Sequence, residues 1–241
     1  MKHALFSDVH GNLEAFEAVL RDGREQAVGQ WLCLGDTVGY GGDPQACLAL
    51  ARGLGGPMVR GNHDDETGHS GVVSHFSPLA VAGVLYSRRM LSAEERAFLA
   101  ALPLRLEVGD CTLVHATLDR PDGWEYVVSP AEAARSLARQ ATPLGFFGHT
   151  HVPHLFAEEN GEVREFVYRQ FELNPAKRYF INVGSVGQPR DGDPRAAYAI
   201  YDDAARTVEL RRVAYDVAAA QAKIAAAELP ARLAARLAEA R

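Results

Sequence analysis

The sequence predicts an α/β fold in which two β-sheets pack face to face with helices outside. Three observations predict it. Residues 1–60 alternate short apolar runs with helix-patterned stretches, in the order strand-helix-strand-helix-strand. That order implies parallel strands joined by right-handed crossovers. The middle of the chain is mainly helical, and the last third is mainly strand, punctuated by turn residues. Polar segments of one chemical type run from residue 8 to residue 151, so a single domain over residues 1–241 has to gather them.

His3 to Ser7 reads as a short buried strand. Asn12 caps the next helix, where Leu13, Phe16 and Leu20 recur at helical spacing. Trp31 to Leu34 is a strand ended by Gly35, and Asp43-Pro44 opens a helix reaching about Leu54. Pro57 to Arg60 reads as a third strand. Ser77-Pro78 starts one helix, and the capping box Ser92-Ala93-Glu94-Glu95 starts another that Pro103 closes. Gly109-Asp110 joins strands Leu104 to Val108 and Cys111 to His115. A helix from Ser129-Pro130 to about Gln140 precedes the strand Leu144 to Phe147. Strands follow at His154 to Ala157, Val163 to Tyr168, Tyr179 to Val183, Ala196 to Tyr201 and Thr207 to Val213. Residues 215–241 form an Ala-rich helical tail broken at Pro230, and its Leu229, Leu233 and Leu237 stripe packs on the domain.

The 241 residues are 47% apolar and 23% charged, which is ordinary for a globular protein, and the net charge is −6. So acidic a chain suits neither a basic groove nor long nucleic acid. Small phosphate esters stay open, because bound cations would dominate the field inside a pocket. Cys33, Cys47 and Cys111 lie in apolar stretches without a Cys-x-x-Cys pair, which argues against a disulfide framework and fits a reducing compartment. Met1 to Phe6 is too short for a signal-peptide core, and no apolar run approaches the roughly 20 residues of a membrane helix. The expectation is a cytoplasmic protein that engages neither membrane nor long nucleic acid.

Five short segments carry a metal-binding vocabulary: Asp8-Val9-His10, Gly35-Asp36, Gly61-Asn62-His63-Asp64, His115 and Gly148-His149-Thr150-His151. Each falls where an expected strand gives way to a loop, and side chains at the same end of neighbouring strands converge. Asp8 and His10, like His149 and His151, are two residues apart and share one face of an extended segment. Imidazole with carboxylate suits Mn, Fe, Co, Ni or Zn, and the absence of thiolates argues against a purely structural zinc site. Two such ions roughly 3.5–4 Å apart suit phosphoester hydrolysis, in which a shared hydroxide attacks phosphorus. A single Asp or His at a strand end is ordinary; five in order are not.

These segments resemble the motifs of the calcineurin-like metallophosphoesterases, which run Asp-x-His, Gly-Asp, Gly-Asn-His-Asp/Glu, His and Gly-His-x-His. Residues 35–41, Gly-Asp-Thr-Val-Gly-Tyr-Gly, and 182–190, Asn-Val-Gly-Ser-Val-Gly-Gln-Pro-Arg, are similar to the small bacterial and archaeal phosphodiesterases of that superfamily. The resemblance implies a four-layer αββα sandwich of two mixed β-sheets flanked by helices. It implies that Asp8, His10 and His151 hold one ion, that Asn62, His115 and His149 hold a second, and that Asp36 bridges them. His63 would contact the substrate phosphate and protonate the leaving oxygen, a task for imidazole. One departure matters. The protein Ser/Thr phosphatases of the superfamily have Asp-Arg where this chain has Gly39-Tyr40. Without that guanidinium, grip on a terminal phosphate weakens and the reading tilts towards diesters. The partner of His63 stays open, with Asp64 adjacent only in sequence.

Substrate contacts are open at several positions. Tyr40, Trp124 and Tyr126 could stack on a nucleobase or roof the core edge. Arg190 could meet a phosphate oxygen or pair with Asp191 or Asp193. His69 and His75 sit in a segment that covers the site or is a polar loop. The expected activity is hydrolysis of a small, nucleotide-class phosphodiester. A (di)nucleoside polyphosphate hydrolase is the alternative, ranked below because only the isolated Arg60 and Arg190 lie near the motifs. A non-catalytic, protein-binding scaffold of the same fold is the alternative of another class.

Overall fold

The computed structural model describes residues 1–73 and 76–241. Two mixed sheets form its centre. The first orders its strands β2-β1-β10-β11-β8: β1 (Lys2–Phe6), β2 (Gln30–Cys33), β8 (Gln170–Glu172), β10 (Ala196–Asp202) and β11 (Thr207–Val213). The second orders them β3-β4-β5-β9-β6-β7: β3 (Arg105–Val108), β4 (Cys111–Val114), β5 (Leu144–Phe147), β6 (His154–Glu159), β7 (Glu162–Phe166) and β9 (Arg178–Asn182). The helices are α1 (Leu13–Glu25), α2 (Pro44–Gly53), α3 (Asn62–Gly68), α4 (Pro78–Met90), α5 (Ala93–Ala101), α6 (Pro130–Arg139), α7 (Val217–Ala226) and α8 (Ala231–Glu239). Mixed sheets and outer helices are the architecture expected.

The period-2 alternation of the strands sorts side chains between layers. Leu5 of β1, Leu32 of β2 and Tyr201 of β10 meet Leu113, Phe146 and Ile181 of the second sheet in one core between the sheets. The neighbouring positions Phe6, Tyr198 and Ile200 face the other way, onto Phe16, Val19 and Leu48 of α1 and α2. Beyond the second sheet, Phe147, Phe156 and Phe180 pack on Ala133 and Leu137 of α6. Strands buried on both faces read as continuous apolar runs, as these do.

Three local expectations change. Residues 57–60 make a single parallel bridge, Met58 to Cys33, rather than a strand, because Pro57 has no amide to donate and helix α3 begins at Asn62. Helix α3 begins within the Gly-Asn-His-Asp segment, where no apolar period marks it. Strand β8 is a short polar edge strand that the sequence pattern does not announce. Parallel pairing of β1 with β2, and of β4 with β5 and β9, points their C-terminal ends the same way within each sheet. Four of the five polar segments leave from the ends of β1, β2, β4 and β5, and the fifth, Gly61 to Asp64, follows the Met58 bridge to Cys33. No described helix is long and apolar enough to cross a membrane.

Candidate metal centre and active-site cleft

Backbone hydrogen bonds zip the donor loops together. The Asp8 amide donates to Gly35 O, the His10 amide to Asp36 O and the Gly148 amide to His115 O. Gly61 makes a close approach, since a Cβ there would lie 2.1 Å from Asp36 Oδ1. Asp8, His10, Asp36, His149 and His151 all have left-handed backbones, with φ of 54°, 50°, 55°, 66° and 60°. Non-glycine residues held there cost on the order of 1–3 kcal/mol each and cluster at functional sites. Five of the seven expected donors are therefore held against their local preference by the surrounding structure.

All seven donors converge, and each is at most 8% exposed. Asp8 Oδ1 lies 3.3 Å from His151 Nε2, 3.6 Å from His10 Nε2 and 3.9 Å from His115 Nε2. Asp36 Oδ2 lies 3.3 Å from His115 Nε2 and 3.7 Å from His10 Nε2, between the two halves of the set. His115 Nε2 is 3.1 Å from Asn62 Oδ1 and 3.2 Å from His149 Nδ1. Donors about 2.1 Å from one transition-metal ion stand about 3.0–3.5 Å from each other, which these spacings approach.

Each imidazole is aimed by its outer nitrogen. His10 Nδ1 donates to Val38 O, His115 Nδ1 to Leu34 O, His151 Nδ1 to Gln188 O and His149 Nε2 to Trp124 O, over 3.0, 2.8, 2.6 and 2.9 Å. A proton fixed outside leaves the inner lone pair free for a cation. Asp8 Oδ1 is buried with no hydrogen-bond partner among the described residues, although it faces three imidazoles. A metal ion fits that unpartnered acceptor and the donor set around it.

The electrostatics agree. Burial pushes Asp8 and Asp36 up, but the imidazoles around them win, His151, His10 and His115 at Asp8 and His115, His63 and His10 at Asp36, and hold both carboxyls well below their ordinary range. Burial pulls His115 down, yet Asp36 and Asp8 lift it to about 9. Burial and the charge on His115 lower His149 to about 4.

Asp64 does not reach His63. Its carboxylate accepts from the amides of Asp36, Thr37 and Gly61 over 2.7, 3.0 and 3.2 Å, and from the Thr37 hydroxyl over 2.8 Å. It is the brace of the loop that carries Asp36. Burial and the nearby Asp36 charge raise it to about 6. Sequence reading left its orientation open, and only the folded loop shows it.

His63 is placed by its backbone amide on Asp36 Oδ1 over 2.8 Å and by ring contacts with Tyr40, His10 and Phe76 at 4.5, 4.7 and 4.9 Å. Its Nδ1 has no hydrogen-bond partner among the described residues. A Cβ on Gly39 would lie 2.4 Å from that nitrogen, and φ there is +105°, so this His63 ring position requires glycine. Burial, with His10 and Arg190 nearby, lowers His63 to about 3 against the pull of Asp36. In the metal-free protein it is a neutral imidazole at neutral pH.

His63, Asn62 and His149 open onto a cleft of about 310 Å³, walled by Tyr40, Phe76, Trp124 and Tyr126. Tyr40 is 9% exposed and packs on the tail, whereas Tyr126 is 52% exposed and stacks on His149 at 4.4 Å. Trp124 holds His149 through its carbonyl and lies edge-on to His115 at 6.0 Å. Asp191 pairs with Arg212 and Asp193 with Arg195, so neither takes Arg190. The Arg190 guanidinium instead bonds Gln188 Oε1 and lies 5.8 Å from the Tyr40 ring centre. His69 bonds back to Asp65 of its own helix, and His75 lies outside the described residues. Arg236, from the tail, lies 6.0 Å from the same ring centre. Nothing in its local sequence marks it as part of the site.

Comparison with known proteins points the same way. The chain is 35% identical over 97% of its length to an uncharacterized protein of Methanocaldococcus jannaschii, and the match covers 96% of that protein. Among solved structures it resembles a metallophosphoesterase from Sphaerobacter thermophilus, with 41% identity, a TM-score of 0.89, and coverage of 100% of this chain and 99% of that one. A hypothetical protein from Pyrococcus horikoshii shares the fold at 17% identity and a TM-score of 0.78, over 100% of this chain and 98% of that one. The pattern of the calcineurin-like phosphoesterase superfamily domain matches residues 1–205. The chain belongs to that superfamily, as a phosphoesterase of the kind found in small bacterial and archaeal proteins.

Proposed function

We propose that this phosphoesterase is a dinuclear, metal-dependent phosphodiesterase acting on a small, nucleotide-class substrate. The observation that carries this reading is the split of the donors into two triads, Asp8-His10-His151 and Asn62-His115-His149, with Asp36 facing both. Divalent Mn, Fe, Co, Ni or Zn bound there supplies Lewis acidity to the phosphoryl oxygens and acidifies water. The net reaction converts a diester and water into a monoester and an alcohol. The new P–O bond forms from water as the bond to the leaving oxygen breaks, and that oxygen gains a proton.

The protein's own groups orient and protonate. Asp64 and Thr37 fix Asp36, and the outer carbonyls fix the imidazoles. His63, neutral at rest, donates a hydrogen bond to the phosphoryl group. The negative charge of bound substrate raises its basicity, so that it can relay a proton to the leaving oxygen. Gly39-Tyr40, in place of an Asp-Arg pair, favours diesters. Tyr40, Trp124 and Arg190 are the proposed substrate contacts. Three buried free thiols fit a cytoplasmic setting.

The test is hydrolysis of a chromogenic phosphodiester by metal-free protein supplied with Mn, Ni, Co, Fe or Zn in turn. Activity should return with metal and fall on the order of a thousandfold in Asp36→Asn. Undiminished turnover by Asp36→Asn sinks the proposal. A scaffold role would return if no metal restores turnover and a partner protein co-purifies in stoichiometric amount.

A further inference from the structure

Among the described residues, His63 Nδ1 has no hydrogen-bond partner, and it lies buried against Gly39. Rotation of an imidazole about χ2 is soft, so something other than a side-chain acceptor has to fix this ring. Three successive residues of α4 grip its surroundings. The Tyr86 hydroxyl donates to Gly42 O over 3.0 Å. Ser87 Oγ accepts from the Gly39 amide over 3.1 Å. The Arg88 guanidinium donates to Glu66 O through Nε and Nη2 over 3.0 and 2.6 Å. The first two contacts hold the 39–42 turn beside the ring. The third holds α3, the helix that carries His63 near its start.

The turn does not keep its shape unaided. Tyr40 has a φ of 29°, a strained value for an aromatic residue, and such values persist only where the surroundings impose them. A Cβ on Gly83 would lie 2.4 Å from Tyr40 N, so the turn rests directly on α4. Ser87 is the grip under the ring. It is fully buried, and its hydroxyl donates to Gly83 O over 2.9 Å, which commits its proton and leaves a lone pair for Gly39. A helical serine bonding four residues back is common; the second bond, to a distant turn, is not. Among the described residues, the Gly39 amide has no other acceptor.

We propose that Ser87 is a positioning residue for His63: by holding the Gly39 amide it fixes the floor against which Nδ1 sits, and so leaves Nε2 as the ring nitrogen that serves the substrate. In place of a side-chain acceptor, a helix orients this imidazole by controlling the backbone beneath it. The rings of Tyr40, His10 and Phe76 confine the plane of the imidazole, and Gly39 sets its tilt. The inference rests on the phosphoesterase reading above and names what aims its proton relay. Proton transfer to a leaving oxygen is sensitive to such aim, since a displacement of about 1 Å in a reacting group costs up to about a hundredfold in rate.

The experiment compares Ser87→Ala with wild type in two readouts. In the metal-loaded enzyme, kcat for diphenyl phosphate, whose phenolate leaves poorly, should fall about tenfold, and kcat for bis(p-nitrophenyl) phosphate about threefold or less. KM and metal content should stay within about twofold. In the metal-free full chain, the NMR cross-peak of the His63 Cε1–H, assigned by its loss in His63→Gln, should move or broaden while those of His149 and His151 stay in place. Ser87→Cys keeps the size but accepts weakly, so it should fall between the two, and it serves if the Ala variant fails to fold. An unmoved His63 peak overturns the proposal. So does a loss shared equally by the two esters, because Ser87 would then support the fold at large and not the aim of the ring. If no metal restores turnover in wild type, the proposed function falls instead, and the imidazole peak alone decides whether Ser87 seats His63.

Discussion

The base of the cleft and its rim differ in how firmly each is held. At the base, donors are at most 8% exposed, and four imidazoles each have a dedicated carbonyl behind them. At the rim, Tyr126 is 52% exposed and is held by stacking on His149, while beside Tyr40 Arg190 bonds Gln188 Oε1 and Arg236 bonds the Arg241 oxygen. The base is pre-organised for one chemistry. The rim is lightly held.

His63 stands between the two regions, and changing it should have the largest effect. His63→Gln should lower kcat by roughly 10²–10⁴-fold with metal content unchanged, the range for a lost acid–base group. The loss should be greater for an alkyl than for a nitrophenyl leaving group. Equal losses for both would leave His63 a phosphate contact and not a proton donor.

Asp64 tests whether the base depends on its bracing. Asp64→Asn keeps the shape but only one of the two oxygens that accept from three amides and a hydroxyl. Metal affinity should weaken about 10–100-fold, measured as metal retained after dialysis. Retention equal to wild type would show that the loop holds its shape unaided.

The charge at the base predicts a pH dependence. His115 titrates at about 9 in the metal-free protein, so below that pH a cation has to displace its proton. Apparent metal affinity should therefore rise with pH, by up to about tenfold per unit, and level off above about 9. A flat profile between neutral pH and 9 would contradict the Asp36–His115 coupling. The smallest effect belongs to the rim. Tyr126→Ala should raise KM for a nucleotide about fivefold, the low end for a lost stacking partner, and barely change kcat.

The contrast also explains what could be read beforehand. The base was legible because every donor but Asn62 sits within a few residues of a strand end, and Asn62 within a few residues of the Met58 bridge, where short motifs and chain direction suffice. The apolar strands that carry them were legible for the same local reason. Helix α3 was not, because Asn62–Gly68 has no apolar stripe and is held by Asp64 and the close approach at Gly61. Residues 57–60 look like a strand locally, but pairing beyond Met58 depends on neighbours. Arg236 was invisible: its segment shows only the Leu229, Leu233, Leu237 stripe. Its place beside Tyr40 emerges once that stripe docks on Tyr40, Ala80 and Ile224.

That docking bears on where this protein can be shortened. The family pattern ends at residue 205, and the final helices hold no motif, which invites trimming. Yet Leu233 and Leu237 are 0% and 3% exposed, and they pack in the same cluster as the Tyr40 side chain that lines the cleft beside the metal donors. Lys223 of α7 further tethers the tail to Glu14 and Asp43. Cutting there would uncover greasy surface and remove the packing behind Tyr40, so the homology boundary and the structural boundary of the domain do not coincide.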